Sequence, residues 1–398
     1  MDTYSVMDKI FENRILPYFM FILIIGITGY IIWYYYKTAS NIGTLANISP
    51  IVATSSNSAS NIYSPRASDR KSLASYLSNK ISTNDEKQAC LANFYILTAN
   101  MAGMFPPSSS GVYDPAAIKY AILAGVRGFI FDIYSGSVEQ NYAPILKVLQ
   151  PGSNWKVQTM NEIPLGLALD SIRKEGFETG LQDNRHNDPI ILYFRFRGNI
   201  ITTTLNLTAA AIRATLEGYR VSTSENNSIA HQPIANFTRK VIIYSNLTGS
   251  SIENTAFADY CNSQSGDAAS PSPNNYDPKT IMNISDATNS TQIINQNKTT
   301  ISICAPKPED SMSNDNNWMI DTSNNTSPID TKGIHMVGMN MYSFVSNNLD
   351  AGLSYYLGDN RFSIYSFIMK PVEMRYTIVM SDPPTQNNLP ATNGTVSI

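Results

Sequence analysis

The chain has 398 residues, a net charge of −3, three cysteines and three histidines. Only 15% of its residues are charged, against roughly 25% in an average soluble domain, and 40 residues are asparagine. Without a basic excess, nucleic-acid binding is not expected, and three cysteines are too few for a disulfide scaffold. The scattered histidines and cysteines predict no metal cluster, and no motif predicts a cofactor.

The first predicted element is a transmembrane helix over residues 16–36. This stretch, LPYFMFILIIGITGYIIWYYY, contains no charged residue, and as a helix it would extend about 30 Å, the thickness of a bilayer core. Aromatic residues cluster at its end, which is typical of the headgroup level. A signal peptide is the alternative interpretation, although its apolar region is normally only roughly 7–15 residues long. Residues 1–15 form a short segment before the helix.

Residues 37–87 are predicted to form a linker. They are rich in serine, asparagine, alanine and threonine and show no sustained apolar period, which is typical of a stalk between an anchor and a domain. The pattern also allows a short helix near 71–81.

From residue 88 the pattern changes to alternating strands and helices. Strands are predicted at 91–100, 126–134, 143–150, 188–198 and 239–246, with helices at 114–125, 164–177 and 205–220. The first of these helices begins with Asp114 as N-cap and Pro115 in the first turn. Such alternation indicates an α/β fold with parallel strands. The number of units favours a TIM-like (β/α) barrel over an open doubly wound sheet.

Residues 250–330 interrupt this alternation. They are rich in asparagine, serine, aspartate and proline and contain few apolar residues, so they are predicted to form a long surface insertion. Strand-like sequence returns at 333–344, 361–371 and 375–382. The barrel is therefore predicted over 88–382, with a tail at 383–398.

Two blocks of the barrel region resemble the catalytic domain of phosphoinositide-specific phospholipase C. GVRGFIFDIYSG, PLGLALDSIRKEGF and NDPIILYFRFRG follow one another as in the X region of that family. Later residues are similar to the end of its catalytic barrel, namely Met336, Val337, Met339, Asn340, Lys370 and Pro371. The resemblance covers about residues 88–376 and implies a TIM-like phosphodiesterase barrel.

The catalytic histidines that the resemblance implies are missing. That mechanism uses one imidazole as general base on the inositol 2-hydroxyl and another as general acid. Ala99 stands where the family has its first histidine, and residues 143–150, where the second is expected, contain none. His186, His231 and His335 lie elsewhere and are interpreted as surface or structural residues. The sequence therefore predicts a catalytically inactive barrel.

The implied calcium site is also incomplete. The resemblance places its four ligand positions at Asn100, Ile130, Asp132 and Arg195. Only two of these side chains offer oxygen, and a hard cation needs six or more oxygen ligands. In metal-free members an arginine just after the acidic residue replaces the metal, and Tyr134 occupies that place here. A salt bridge from Asp132 to Arg195 or Arg127 is predicted instead.

The candidate site is consequently vestigial rather than catalytic. Its positions are Ala99, Asn100, Arg127, Ile130, Asp132 and Arg195. A phosphate could still bind through Arg127, Arg195 or Arg197, but structural pairing of these arginines is the preferred interpretation.

Two function classes remain, and the asparagine-rich style adds a second resemblance, to proteins of large nucleocytoplasmic DNA viruses. The first hypothesis is a structural virion protein, a minor capsid protein between the inner membrane and the capsid shell, with capsid proteins as partners. The second is a membrane-tethered phosphodiesterase acting on inositol lipids with unusual catalytic groups. A lipid-headgroup binding module or entry protein is a weaker third possibility.

Overall fold

The computed structural model describes residues 15–377 apart from several short internal segments. These are 83–88, 106–110, 149–158, 223–228, 248–250, 263–272, 285–286, 309, 311–314, 322–326, 328, 346–347 and 359–360. The predicted tail at 383–398, almost all of the N-terminal segment 1–15 and most of the predicted strand 375–382 lie outside the described residues.

Two helices precede the barrel region, α1 (Ile15–Ala67) and α2 (Leu73–Lys80). Helix α1 has 53 residues, which corresponds to about 80 Å at 1.5 Å per residue. The predicted linker at 37–87 is therefore wrong over its first thirty residues, whereas the short helix allowed near 71–81 is present. Ala59 and Tyr63 are fully buried, so tertiary packing against the domain holds a serine-rich stretch in helical form.

No helix among the described residues has the length and apolar character needed to cross a membrane. The transmembrane helix predicted over 16–36 is thus not supported. Those residues are helical, but they are one end of α1, which continues without interruption into the polar stretch after residue 37.

The domain is an α/β fold in which strands and helices alternate, as predicted. Its first half contains β1 (Phe94–Ala99), β2 (Met104–Phe105), β3 (Val112–Tyr113), α3 (Pro115–Leu123), β4 (Gly128–Ser135), β5 (Pro144–Leu146), β6 (Ile163–Pro164), α4 (Leu165–Arg173), β7 (Ile190–Phe196), α5 (Thr202–Leu216) and β8 (Val241–Ser245). Asp114 caps α3 by accepting a hydrogen bond from the Ala116 amide, with Pro115 at the first position. The predicted cap is confirmed.

The second half contains shorter elements. They are β9 (Asn274–Tyr276), α6 (Pro278–Met282), α7 (Ala287–Thr299), β10 (Ser302–Cys304), β11 (Met336–Met339), β12 (Phe344–Val345), β13 (Asn348–Leu349), α8 (Ala351–Leu357) and β14 (Phe367–Met369). Four of these, β9, α6, α7 and β10, lie in the predicted insertion at 250–330 and form one unit of the main sheet, with the two helices between two parallel strands. The insertion is therefore partly wrong: this stretch contributes two strands and the helices between them.

Parallel pairing gives the strand order β8-β7-β4-β1-β11-β10-β9. From β1 the strand numbers rise along one side of the sheet (β4, β7, β8) and fall along the other (β11, β10, β9), which is the circular order of strands in a (β/α) barrel. Among the described residues no ladder joins β8 to β9, so the sheet is not closed, and the predicted closed barrel is corrected to an open one. Three further pairings in this sheet are antiparallel: β14 on β1, β5 on β4 and β6 on β5.

The two faces of this sheet bury different residues. Odd positions of β1 and β4, such as Leu97 and Phe131, belong to a cluster that includes the helices α3, α4 and α5. Even positions, such as Ile96 and Ile130, belong to a second cluster with Tyr193 of β7. Because strand side chains alternate between faces, the second cluster marks the inner face of the curved sheet.

Candidate functional site

Three polar residues on neighbouring strands continue this inner face at its C-terminal end. Asp132 of β4 lies directly opposite Arg195 of β7 in the parallel register. Asn100 follows the last residue of β1, the strand on the other side of β4. In barrels of this type, active sites lie at the carboxyl ends of the strands, which makes this group the candidate site.

Arg195 and Asp132 form a bidentate ion pair. Arg195 Nε donates to Asp132 Oδ1 at 2.6 Å and Nη2 donates to Oδ2 at 2.8 Å. Asp132 is fully buried and Arg195 is 6% exposed, so the pair lies in a region of low dielectric where charges must be matched. The structure brings together the residues of the predicted salt bridge, with Arg195 rather than Arg127 as the partner.

The remaining polar atoms of this pair are satisfied by the neighbouring strands. Arg195 Nη2 also donates to Asn100 Oδ1 at 3.0 Å, and Nη1 donates to the Pro306 carbonyl at 3.2 Å. Asn100 Nδ2 donates to the same carbonyl at 3.1 Å. This four-residue network spans β1, β4, β7 and the segment after β10. No sequence signal pointed to the carbonyl of Pro306.

Further charges lie at the rim of this end. Arg197 Nε is 3.9 Å from Asp132 Oδ1, and its side chain is 20% exposed. Lys147 Nζ pairs with Glu162 at 3.6 Å and lies 6.0 Å from the centre of the Tyr134 ring. Arg197 and Lys147 are therefore partly exposed cations at the rim of this site.

Tyr113 is a site residue that the sequence did not indicate. It is 1% exposed, and its hydroxyl has no hydrogen-bond partner among the described residues. Burial, with smaller contributions from the charge of Asp132 and from Tyr134, raises the pKa of Tyr113 well above its usual value. Its phenol consequently stays protonated at neutral pH.

Three predicted site positions do not belong to this group. Ala99 packs in the cluster that faces the helices. Ile130 lies on the inner face but is a fully buried apolar residue of the second cluster. Arg127 precedes β4 and lies at the opposite, N-terminal end, where its Nε is 4.0 Å from Asp188 Oδ2.

The three histidines lie away from the candidate site. His186 is in the turn before β7, and His231 stacks on Tyr376 at 3.9 Å between ring centres. His335 precedes β11, where its Nδ1 accepts from the Ser302 amide at 3.0 Å and its Nε2 lies 2.8 Å from the Ala92 carbonyl oxygen. Their placement at the N-terminal end agrees with the sequence interpretation.

The described residues also contain no group of three or more histidine, cysteine, aspartate or glutamate side chains suited to a metal ion. At the candidate site, Asp132 has both carboxylate oxygens engaged by Arg195. Chemically, this end offers a sealed ion pair with two cations at its rim.

Comparison with known proteins finds similar solved structures at low identity. PLC21 of S. officinalis is 14% identical, with a TM-score of 0.49, over 76% of this chain and 41% of that one. A calcium-dependent phosphoinositol-specific phospholipase C from Pseudomonas sp. is 10% identical, with a TM-score of 0.41, over 67% of this chain and 95% of that one.

The phosphatidylinositol-specific phospholipase C of Listeria monocytogenes is 13% identical, with a TM-score of 0.39, over 66% of this chain and 95% of that one. The chain thus spans about two fifths of the length of PLC21. No protein-family model and no curated protein sequence matches it.

Proposed function

We propose that this chain is a catalytically inactive, phospholipase C-like domain that serves as a structural protein between a membrane and a protein layer. In a large nucleocytoplasmic DNA virus, that layer is the capsid shell over the inner membrane, and the chain is a minor capsid protein. The observation that carries the proposal is the buried Asp132–Arg195–Asn100 network, because it fills the end of the sheet where a phosphodiesterase needs an open site.

The network supports inactivity on chemical grounds. A phosphodiesterase of this type needs a proton acceptor and a proton donor beside the scissile phosphate, and losing one such group costs about 10²–10⁴-fold in rate. No histidine lies among the described residues of this end. Asp132 is held by two charge-assisted hydrogen bonds from Arg195, so its carboxylate is engaged and not available as a base or metal ligand.

Attachment to a membrane is supported by the exposed end of α1. Large apolar side chains there are 46–67% exposed: Tyr18, Met20, Phe21, Ile22, Leu23, Ile24, Ile25, Ile27, Tyr30 and Ile31. A contiguous apolar surface of this kind marks contact with a membrane or another protein. The other end of α1 is fixed to the domain because the buried Tyr63 hydroxyl donates to the Met341 carbonyl.

The enzymatic hypothesis is tested by incubating the purified full chain with phosphatidylinositol vesicles, with and without calcium. We expect no release of inositol phosphate above the protein-free control. Release that disappears in an Asp132→Asn variant would overturn the structural proposal.

Membrane attachment is tested by flotation of the full chain with phosphatidylcholine vesicles. Wild type should float, and a double Ile22→Asp, Ile24→Asp variant should stay at the bottom of the gradient. Val138→Asp is the matched control, because Val138 is 71% exposed but lies in the loop after β4. Equal flotation of all three proteins would refute attachment through α1.

The virion role is tested in purified particles. A structural protein should be present at a fixed copy number and occupy symmetric positions between membrane and shell, with crosslinks to capsid proteins. Its absence from particles would remove the capsid part of the proposal.

Headgroup binding is the second candidate, favoured by the partly exposed rim cations Arg197 and Lys147. It predicts that vesicles containing phosphoinositides bind more chain than phosphatidylcholine vesicles do, without turnover. An Arg197→Met variant should lose that excess binding and keep the flotation seen with phosphatidylcholine.

A further inference from the structure

Three arginines are completely buried at the N-terminal end of the sheet, opposite the candidate site. Arg70, Arg127 and Arg185 are each at most 1% exposed. They come from the segment between α1 and α2, from the residue before β4 and from the turn before β7. Arg127 Nη2 donates to the Arg185 carbonyl at 2.9 Å, which links two of the three directly.

The positive charge of this arginine cluster exceeds the negative charge around it. Asp188 is the buried acid, with Oδ2 4.0 Å from Arg127 Nε, too far for a hydrogen bond. Asp183 also interacts electrostatically with Arg185. Its Oδ2, however, already accepts hydrogen bonds from the Ser72 amide and the Ser75 hydroxyl, both at 2.7 Å. Three guanidinium groups thus face two carboxylates.

The cluster is also short of hydrogen-bond acceptors. Backbone carbonyls accept from some guanidinium nitrogens, as in the 2.7 Å bond from Arg70 Nη1 to Phe362. The following buried atoms have no partner among the described residues: Arg70 Nε, Arg127 Nε, Arg185 Nε, Arg185 Nη1 and Asp188 Oδ2. Four of these five atoms are donors, and an unpaired buried donor on a charged group is costly.

Neutralisation of the arginines does not relieve this imbalance. Burial, followed by the charge of Arg185, lowers the pKa of Arg70 to about 9, and burial, followed by the charge of Arg127, lowers that of Arg185 to about 10. Both groups therefore remain charged at neutral pH. Buried charges are normally paired, so these buried cations lack a full complement of counter-charges among the described residues.

We propose that the arginine cluster binds one small inorganic oxyanion, of the phosphate or sulfate class, which accepts hydrogen bonds from the unpartnered guanidinium nitrogens. Because the arginines are buried, a free ion fits this description and a phospholipid headgroup does not. The site joins the segment after α1 to the floor of the sheet, so the bound ion stabilises the position of α1 on the domain. This proposal is independent of the proposed structural role.

Binding is measured directly by equilibrium dialysis of the full chain against radiolabelled inorganic phosphate at fixed ionic strength. We expect saturable binding approaching one phosphate per chain, with sulfate as a competitor. Competition by inositol phosphates but not by inorganic sulfate would place the binding elsewhere and overturn the assignment, as would the absence of saturable binding.

Thermal unfolding provides the site-specific readout. A ligand that binds the folded state at 100 times its Kd shifts the folding equilibrium about 100-fold, which should raise Tm by a few degrees in low-millimolar phosphate relative to gluconate. Arg185→Met should abolish this phosphate-dependent rise. The matched control is Arg213→Met, because Arg213 is exposed on α5.

If Arg185→Met does not fold, Arg70→Met supplies the same comparison, and the dialysis of wild type stands without either variant. An equal phosphate response in a folded cluster variant and in Arg213→Met would overturn the proposal. A wild-type response that follows ionic strength alone would also overturn the proposal, because water molecules would then be the partners of the unpaired guanidinium nitrogens.

Discussion

Replacing Arg195 by methionine should destabilise the domain strongly. The substitution leaves the Asp132 carboxylate fully buried, with Arg197 Nε at 3.9 Å as its nearest remaining cation. It also removes the donors to Asn100 and Pro306. The carboxylate would have to remain charged without a hydrogen-bonding cation or take up a proton, and both outcomes cost free energy.

The expected cost is about 3–5 kcal/mol, the range for removing one partner of a buried ion pair. The double variant Asp132→Leu, Arg195→Met should recover most of this loss, since replacing a buried pair by apolar residues is often neutral or stabilising by about 1–4 kcal/mol. Urea unfolding followed by circular dichroism gives each free energy of unfolding. The double-mutant cycle then gives the coupling energy.

Arg173→Met is the matched control. Arg173 also forms short ion pairs, with Asp170 at 2.6 Å, but its side chain is 28% exposed, so it should cost no more than about 1 kcal/mol. A loss below about 1 kcal/mol for Arg195→Met, or a double variant less stable than the single one, would refute the description of this end as a sealed pair.

Three further predictions concern the opposite end and α1. Burial raises the pKa of Asp188 to about 6, so between about pH 4 and 6 the folded state holds a proton that the unfolded chain has lost. The free energy of unfolding should therefore fall by roughly 2–3 kcal/mol as pH rises through this range. In urea titrations, Asp188→Asn should flatten this fall. Gly125→Ala should lower the free energy of unfolding by at least about 2 kcal/mol, because φ at this position is +95° and the new Cβ would lie 2.3 Å from Arg70 Nη1. Gly180→Ala is the control and should change Tm little, because the space around Gly180 is open. Tyr63→Phe should lower the free energy of unfolding by about 1–2 kcal/mol, because the buried Met341 carbonyl loses its donor. It should also speed proteolysis within α1, and an unchanged cleavage rate would contradict this prediction.

The parallel sheet was predictable because its central strands carry their own signal. Strands β4 and β7 are mainly apolar, as expected for strands buried on both faces, with Asp132 and Arg195 as their charged exceptions. Helix α3, which precedes β4, begins at a recognisable cap, Asp114. The short strands β9 and β10, three residues each, were missed within the predicted insertion. They lie in polar sequence. The pairing of β9 with β10 and of β10 with β11 comes from tertiary context that composition does not reveal.

Helix α1 is a second element that the sequence did not predict, since a linker was expected where the structure has a helix. Serine and asparagine are poor helix formers, so a linker was the reasonable interpretation of 37–67. Packing of Ala59 and Tyr63 against the domain outweighs that propensity, because tertiary burial supplies most helix stability in proteins.

At the candidate site, an ion pair of Asp132 could be predicted from the sequence, and one of its two possible partners could be excluded. Arg127 and Asp132 are five residues apart on one strand, about 17 Å at 3.3–3.4 Å per residue, and an odd separation places their side chains on opposite faces. This spacing alone excludes Arg127 as the partner. Arg195 could be assigned only through the register between β4 and β7, and the Pro306 carbonyl only through the fold.

The charged groups at the two ends of the same strands thus differ in how completely they are paired. At the C-terminal end, Arg195 has its charge and its donors matched by Asp132, Asn100 and Pro306, whereas the buried Tyr113 hydroxyl has no partner among the described residues. At the N-terminal end, cations outnumber acids and donors remain unpaired. The paired state of Asp132 and Arg195 bears on the proposed inactivity more directly than the missing histidines do, since it concerns groups that are present.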